Sequence, residues 1–453
     1  GEGTTAVFPD HLFNTLGIPK ERFYREAEPT WKQGIRFLWG DRADYFYDFN
    51  YQYDLKFDGM AHATGFYAGD DCGDLNTTCA LMRRGKAFLP DANGKPDVRG
   101  EYAFHIENKK FVRCLENIAR ECGVEMDEDT LSGIERDPAD GAISALRFES
   151  GRRAAADLFV DASGFRAELI GRVLEEPFQS FSPGLFCDRA VIGGWTRRED
   201  EPCMAYTTAE TMDSGWCWKI EHENFINRGY VYSSAFISDD EAERELTAWN
   251  PRIETTPRVV KFRSGRYRRN WVKNVVAIGN SSGFVEPLEA TAIAQIIYES
   301  RWLVEVMRQT NNAPDESAID RYNDLMARAW DEIRDFLAYH YKFNRRLSTP
   351  FWRHCQEETS LGNFEGFYQA YRSLGPAPQL IHALPHRPNL YGIEGFLAML
   401  VGMKVPHHAP VSFPDSDWEI WRRERSAIGA AADRGFTVQQ SLDAIRSPDW
   451  QWS

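Results

Sequence analysis

A chain of 453 residues, 43 % hydrophobic and 13 % aromatic, can bury a large core and is not a mainly disordered polypeptide. Its length suits roughly two to four domains or one large composite unit. Lysine and arginine number 53 against 68 aspartates and glutamates, a formal charge of −15, which argues against a dedicated nucleic-acid binder. No run reaches the roughly 18 apolar residues of a membrane helix, and the eight cysteines are scattered without a Cys-x-x-Cys pair. We therefore expect a cytoplasmic protein with reduced thiols and no membrane partner.

In chain order, Leu16-Gly17-Ile18-Pro19 is a turn before a helix-like start, and residues 34–39 (GIRFLW) read as a strand. Residues 41–101, rich in Tyr, Phe, Gly and Asp, show weak periodicity and read as irregular structure around a cavity, or as a surface insert. Within 104–122, Phe111, Leu115, Ile118 and Ala119 have helical spacing. Residues 123–126 (GVEM) then read as a short strand. Ile134, Ile143 and Leu146 suggest strands joined by turns at Asp137-Pro138 and Gly141, and 155–160 (AADLFV) a buried strand. That order fits an α/β unit. Strand-like pieces recur through 186–265 (AVIGGW, GWCWKI, GYVYSSAF), 239–248 looks helical, and 274–280 (NVVAIGN) is a strand ending in a turn. Residues 291–309 and 315–346 are long helical stretches, the second broken before Pro350. The remainder is mostly helical with Pro and Gly punctuation, and 395–403 is a buried apolar segment.

Chemistry concentrates at strand ends. In Phe159-Val160-Asp161-Ala162-Ser163-Gly164-Phe165-Arg166 an apolar strand runs into Asp and Ser-Gly, which suits either a close backbone approach to a cofactor or an ordinary strand-to-helix turn. The stretch from Ala277 through Gly279, Asn280 and Gly283 to Pro287 and Glu289 ends a strand and opens a helix whose first amides could hold an anion. Glu289 and Thr291 are also ordinary helix-start residues. On periodicity alone, Lys32 beside an apolar run is a lysine snorkelling to the surface, the alternative being an amine in an aromatic cavity. Trp216 and Trp218 alternate, so both rings face one side of a strand, as core or as tunnel lining. No metal site is expected: His382 and His386 are separated by Pro385, and His407 and His408 are adjacent.

Taken together in order, these segments resemble the flavin-dependent halogenases of the tryptophan halogenase family. Gly1-Glu2-Gly3-Thr4 is similar to the family's Gly-Glu-Ala-Thr, and Trp31-Lys32-Gln33-Gly34-Ile35-Arg36-Phe37 to the stretch carrying its essential lysine. Val160 to Arg166 resembles the flavin-domain Asp-x-Ser-Gly-Phe-Arg. Gly215-Trp216-Cys217-Trp218-Lys219-Ile220 resembles Gly-Trp-x-Trp-x-Ile-Pro. Arg334-Asp335-Phe336, His340-Tyr341 and Pro350-Phe351-Trp352 also fit. The resemblance implies an α/β (α+β composite) fold. An FAD-binding monooxygenase-like core spans residues 1–310, with the 41–101 excursion facing substrate, and a helical substrate-binding region spans 311–453. It also implies a reaction in which hypohalous acid, made from halide with reduced FAD and O2, travels a tunnel to a small aromatic substrate. The flavin comes reduced from a separate reductase, and a homodimer is compatible with the family.

By the same resemblance, Lys32 orients or captures the hypohalous acid and Glu289 assists the aromatic substitution. Gly1, Glu2, Gly3, Thr4, Asp161, Ser163, Gly164, Gly279, Asn280, Gly283, Phe284, Pro287, Thr291 and Ala292 fall on the flavin and halide side. Departures from the family pattern are Ala290 for its Ser, Ala292 for its halide-side Gly, and Glu221 for its Pro. The histidine of its aromatic sandwich is not evident near Tyr45-Phe46-Tyr47-Asp48-Phe49, nor its tyrosine pair near Phe396-Leu397. These departures lead us to expect bromination over chlorination, and an indole or other electron-rich ring in preference to free tryptophan. The family's Gly-x-Gly-x-x-Gly unit is expected ahead of Gly1. A flavin-dependent aromatic hydroxylase and a non-catalytic flavin-fold binding protein are the alternatives.

Overall fold

The computed structural model describes residues 2–49, 76–409 and 414–452; Gly1, Cys72 and residues 50–75 of the excursion lie outside that description. The main sheet has seven strands in the order Arg258–Lys261, Arg189–Thr196, Phe225–Tyr232, Gly215–Glu221, Thr207–Met212, Gly34–Leu38 and Tyr45–Asp48. All neighbours run antiparallel except Gly34–Leu38 beside Thr207–Met212. Two stretches noticed separately in the sequence form one fit. Trp218 lies opposite Gly229, where a Cβ would come within 1.9 Å of the indole, so only glycine leaves room for that ring.

A smaller sheet joins Trp271–Val272, Val275–Ala277 and Phe159–Asp161, the last two parallel, with Ala277 opposite Asp161. Parallel pairing brings both strands' carboxyl ends to one edge. The turns after Asp161 and Ala277 therefore touch, through the Ser281 hydroxyl donating to the Gly164 carbonyl at 3.2 Å. This is the edge at which open α/β sheets carry ligands.

The helix Thr291–Gln309 and the 28-residue helix Glu316–Phe343 pack behind these sheets, followed by Pro350–Glu358, Glu365–Leu374, Gly392–Gly402, Asp415–Asp433 and Val438–Ile445. Pro350 begins its helix in the first turn, capped by the Thr349 hydroxyl, where a missing N–H is harmless. The expected buried segment is the helix Gly392–Gly402. The largest apolar cluster draws on the main sheet (Ile35, Phe37, Trp216), the long helix (Phe336, Tyr339) and the later helices (Phe364, Phe396, Trp421).

Three expectations need correction. Residues 123–126 form no strand: Gly123, at φ +82°, closes the helix Asn108–Glu121, the Val124 amide turns back to the Ala119 carbonyl at 3.0 Å, and Val124 and Met126 are exposed. The strand expected at 155–160 is confined to Phe159–Asp161, because Arg153–Ala154 already ends the preceding hairpin sheet. Where described, the 41–101 stretch is partly regular, with the buried strand Tyr45–Asp48 and the helix Thr77–Arg83, which the Asn76 side chain caps at the Cys79 amide.

Candidate functional site

Lys32 ends the short strand Thr30–Lys32, paired with Ala103–His105 so that it lies opposite Ala103. Its side chain is 0 % exposed, which overturns the snorkelling reading: the amine points inward. The Nζ donates to the Thr4 carbonyl at 3.0 Å and lies 5.6 Å from the Phe49 ring centroid. Thr4 is held for this purpose. Its amide and hydroxyl both reach the Phe104 carbonyl at 3.0 Å, and its hydroxyl accepts from the Phe104 amide at 2.8 Å. Gly3 runs past the amine, with the Cβ of any larger residue 3.8 Å from Nζ. Burial lowers the Lys32 pKa to about 8, with the Glu289 carboxylate pulling the other way.

Glu289 ends the 3-10 turn Pro287–Glu289 and is 5 % exposed. Ala290 follows at φ +55°, a left-handed turn that sends the chain directly into the helix Thr291–Gln309. That helix start has no side-chain cap, so the backbone amides near Thr291 and Ala292 face outward as donors. Glu289 Oε1 lies 2.7 Å from His340 Nε2, and His340 Nδ1 lies 3.0 Å from the Phe336 carbonyl. A cavity of about 820 Å³ opens in front of Glu289, walled by Thr5, Phe49, Thr291, Tyr391 and Glu394 among others. Tyr391 stacks on Phe336 at 3.7 Å between centroids.

The residues expected to serve the flavin divide into two groups. Asp161, 2 % exposed, spends both oxygens within the chain: on the Ser163 amide and hydroxyl at 3.1 and 2.6 Å, and on the Leu169 and Ile170 amides at 2.8 and 2.9 Å. The Ser163 hydroxyl in turn accepts from the Glu168 amide at 2.8 Å. Gly283 is a packing glycine, with Trp330 and the Gly265 carbonyl each 2.9 Å from its would-be Cβ. Phe284 packs edge-on against Phe165 and Phe262, and Pro287 starts the turn to Glu289. Gly164, by contrast, sits at φ +70° with nothing within 4 Å of a would-be Cβ, so its backbone is open to a bound group.

Gly279, at φ +65°, and Asn280 form the facing turn. This pair of turns fits a flavin: an open backbone edge on one side and rigid glycine turns on the other. Glu2 and Gly3 lie instead against the lysine side, Glu2 accepting from the Ile106 amide at 2.8 Å.

Sequence reasoning gave no role to three buried groups that organise the site. His340 was seen only as part of a His-Tyr match. Glu299, 0 % exposed, gathers the Gly279 amide (2.6 Å), the Ser282 hydroxyl (2.5 Å), and the Asn270, Gln295 and Trp330 side chains. Glu286 accepts from Trp216 Nε1 at 3.0 Å and from the Tyr341 hydroxyl, and burial pushes its pKa up to about 7. The available signal for Glu299 was its place with Thr291, Gln295 and Leu303 on the buried stripe of the helix Thr291–Gln309. Glu221, the departure after Ile220, pairs with Arg197 at 2.6 Å and Lys219 at 2.7 Å, so its charge is compensated. Among the described residues, no cluster of three His, Cys, Asp or Glu could hold a metal ion, and no helix is long and apolar enough to cross a membrane.

With this geometry in place, the chain was compared with known proteins. The family model described as tryptophan halogenase matches residues 1–413. The tryptophan 7-halogenase RebH of Lentzea aerocolonigenes is 34 % identical over 389 residues, covering 79 % of this chain and 71 % of its own. The tryptophan 6-halogenase ThaL of Streptomyces albogriseolus is 33 % identical over 396 residues, 82 % and 74 % of the two chains. Among solved structures, MibH, a lanthipeptide tryptophan 5-halogenase, superposes with a TM-score of 0.89 at 33 % identity, over 98 % of this chain and 85 % of its own. The flavin-dependent halogenase BrvH from Brevundimonas sp. BAL3 gives 0.86 at 30 % identity, over 98 % and 92 %. The mixed α/β core with a helical C-terminal region is the fold of these neighbours.

Proposed function

The chain belongs to the tryptophan halogenase family and is a flavin-dependent halogenase; from that premise we propose that it halogenates an uncharged indole, either free or carried within a peptide, in preference to free tryptophan. The observation that carries this is the charge of the cavity. Among the described residues, Asp48, Glu305 and Glu394 line it beside Glu289, which is paired with His340, and Arg301 is the arginine in that lining. A free amino acid is a zwitterion: the acidic wall can pair its ammonium but offers its α-carboxylate only Arg301 among the described lining, and a buried charge without a partner is costly. An indole within a peptide has no such carboxylate, and the cavity, at about 820 Å³, is roomy enough for flanking residues. MibH, a structural neighbour, is described as acting on a lanthipeptide tryptophan. RebH, ThaL and MibH are named for three different ring positions, so similarity assigns no position here.

The roles follow from the chemistry of the groups. FAD, reduced by a separate reductase as in the family, supplies with O2 the oxidising power that turns halide into hypohalous acid. The turns at Ser163-Gly164 and Gly279-Asn280 hold it, with the amides near Thr291-Ala292 on the halide side. The Lys32 ammonium gives one hydrogen to Thr4 and keeps two for the hypohalite oxygen, which it polarises. The ring carbon takes the halogen as the O–X bond breaks, and the oxygen leaves as hydroxide, which takes a proton from the Lys32 ammonium to become water; the proton that Glu289 receives from the ring restores the ammonium. Glu289 accepts the proton displaced from the ring. Residues 1–310 form the flavin core and 311–453 the substrate-binding region, a division supported by Tyr391 and Glu394 facing Glu289 across the cavity.

The test is incubation with FAD, a flavin reductase, NADH and bromide or chloride against indole, free tryptophan and a peptide with an internal tryptophan. Halogenated indole or peptide with little halogenated tryptophan supports the reading. A clear preference for free tryptophan refutes it, and hydroxylated product alone returns the chain to the hydroxylase alternative.

A further inference from the structure

His340 is 0 % exposed, caged by the rings of Phe336, Phe37 and Trp39 at 5.0, 5.4 and 6.4 Å. Both ring nitrogens are engaged: Nδ1 with the Phe336 carbonyl at 3.0 Å and Nε2 with Glu289 Oε1 at 2.7 Å. A carbonyl oxygen can only accept, so Nδ1 carries a hydrogen. A neutral imidazole with its hydrogen on Nδ1 would present a bare Nε2 to Glu289. At 2.7 Å, a bare nitrogen opposite a carboxylate sets two lone pairs against each other, so the contact requires a proton between them. The pair is therefore either imidazolium with carboxylate or imidazole with carboxylic acid. The other groups facing Glu289 choose between these. The Lys32 ammonium acts on it directly and favours the ionised carboxylate, while Tyr47 and Tyr391 are neutral phenols that burial keeps from ionising. Asp48 and Glu394 also act on Tyr47, where their charge, like that of Glu289, keeps the phenol neutral.

We propose that His340 is a positioning residue that, as an imidazolium, grips Oε1 of Glu289, holds that carboxylate ionised opposite Lys32, and leaves Oε2 to take the proton displaced from the substrate ring. The catalytic half of this statement rests on the halogenase reading; the protonation half does not. In the step itself the C–H bond of the halogenated ring carbon breaks and its electron pair restores aromaticity. The proton goes to Oε2 and from there to Lys32, restoring its ammonium. The imidazolium keeps its own proton throughout.

The decisive measurement is 15N NMR on protein labelled at histidine nitrogens, which separates imidazolium from each neutral tautomer. The wild type is expected to show one caged ring protonated at both nitrogens near neutral pH. Glu289→Gln, whose amide can donate to a bare Nε2, is expected to return that ring to the neutral Nδ1–H form and so to assign it. A neutral ring with Nδ1 bare in the wild type, or no change on Glu289→Gln, overturns the proposal whether or not any halogenated product forms. In turnover, His340→Asn is expected to lower kcat roughly 10–100-fold with KM within about twofold, at the low end of what placed acid–base groups contribute. Its acidic limb should move to higher pH, because a nearby cation no longer favours the ionised carboxylate, while flavin reoxidation continues unchanged. Unaltered kcat and an unmoved limb would also overturn the proposal. Absence of product from the wild type would defeat the halogenase reading alone, leaving the NMR result to judge the histidine.

Discussion

At Lys32 a charge is buried where stability alone would not put one. The amine has one backbone carbonyl as hydrogen-bond partner and a carboxylate nearby, and its pKa is lowered from 10.5 to about 8 chiefly by burial. Between those two pH values the unfolded chain still binds a proton that the folded chain has released. Lys32 therefore makes the fold gain stability as pH rises through that window, and it weakens the fold below it. Lys32→Met keeps the volume and removes the charge. It is expected to raise unfolding stability at pH 7 by about 1–3 kcal/mol while abolishing halogenated product; unfolding in urea and product assays check both. In the wild type, product formation should fall as pH rises through about 8, where the amine loses the proton it lends to hypohalite. A rate independent of pH from 7 to 9.5 would contradict that role. Ala292 sits at the uncapped helix start, which we place on the halide side and where the family keeps glycine. Its added methyl crowds a small anion, and bromide is the more easily oxidised halide. Bromination is expected to outpace chlorination at matched halide, and Ala292→Gly to narrow the gap; equal rates in the wild type would count against the assignment.

Among the structural elements, the turn proposed to hold the flavin depends on one carboxyl group. Glu299 rises from the third turn of the helix Thr291–Gln309 and receives five donors, two of them from the Gly279–Ser282 turn. Burial pushes its pKa up to about 7, and the donors pull it back down. Glutamine has a single acceptor oxygen, so Glu299→Gln must set an N–H against a donor. The expected cost is about 1–3 kcal/mol of stability, with weaker FAD binding because the turn loosens. Fluorescence titration with FAD and urea unfolding measure the two effects. Unchanged affinity with reduced stability would mean that the turn is not part of the flavin site. At this same scale the sequence reading was uneven. The strands 34–38 and 215–221 and the two long helices were legible, because each carries its own alternation or 3.6-residue period; the piece read at 229–236 is the end of the strand Phe225–Tyr232 followed by a turn. The strand proposed at 123–126 was not real, because a helix-closing glycine leaves the chain on the surface with no neighbour to pair with.

Across the whole molecule, the substrate choice proposed above rests on groups that meet only in the folded chain. Asp48 comes from the main sheet, Glu289 from the turn before a helix, and Glu394 from a helix more than 100 residues later. Their shared cavity predicts a higher kcat/KM for indole or a tryptophan-containing peptide than for free tryptophan. Steady-state kinetics with the three substrates check it, and Glu394→Gln should improve free tryptophan relative to indole by lightening the acidic wall. The family was legible from the sequence alone, because its matched segments are local and contiguous, and with it came the roles proposed for Lys32 and Glu289. The direction in which Lys32 points was not, since periodicity beside an apolar strand describes a snorkelling lysine equally well. Only the pairing of residues 30–32 with 103–105, and the anchoring of Thr4 on Phe104, turns that amine inward. The His340 contact to Glu289 and the five donors on Glu299 were likewise invisible. Except for Gln295, one helical turn from Glu299, their partners lie 17 to 51 residues away, and hydrogen-bond chemistry at that separation leaves no period in the sequence, so it is decided by tertiary packing.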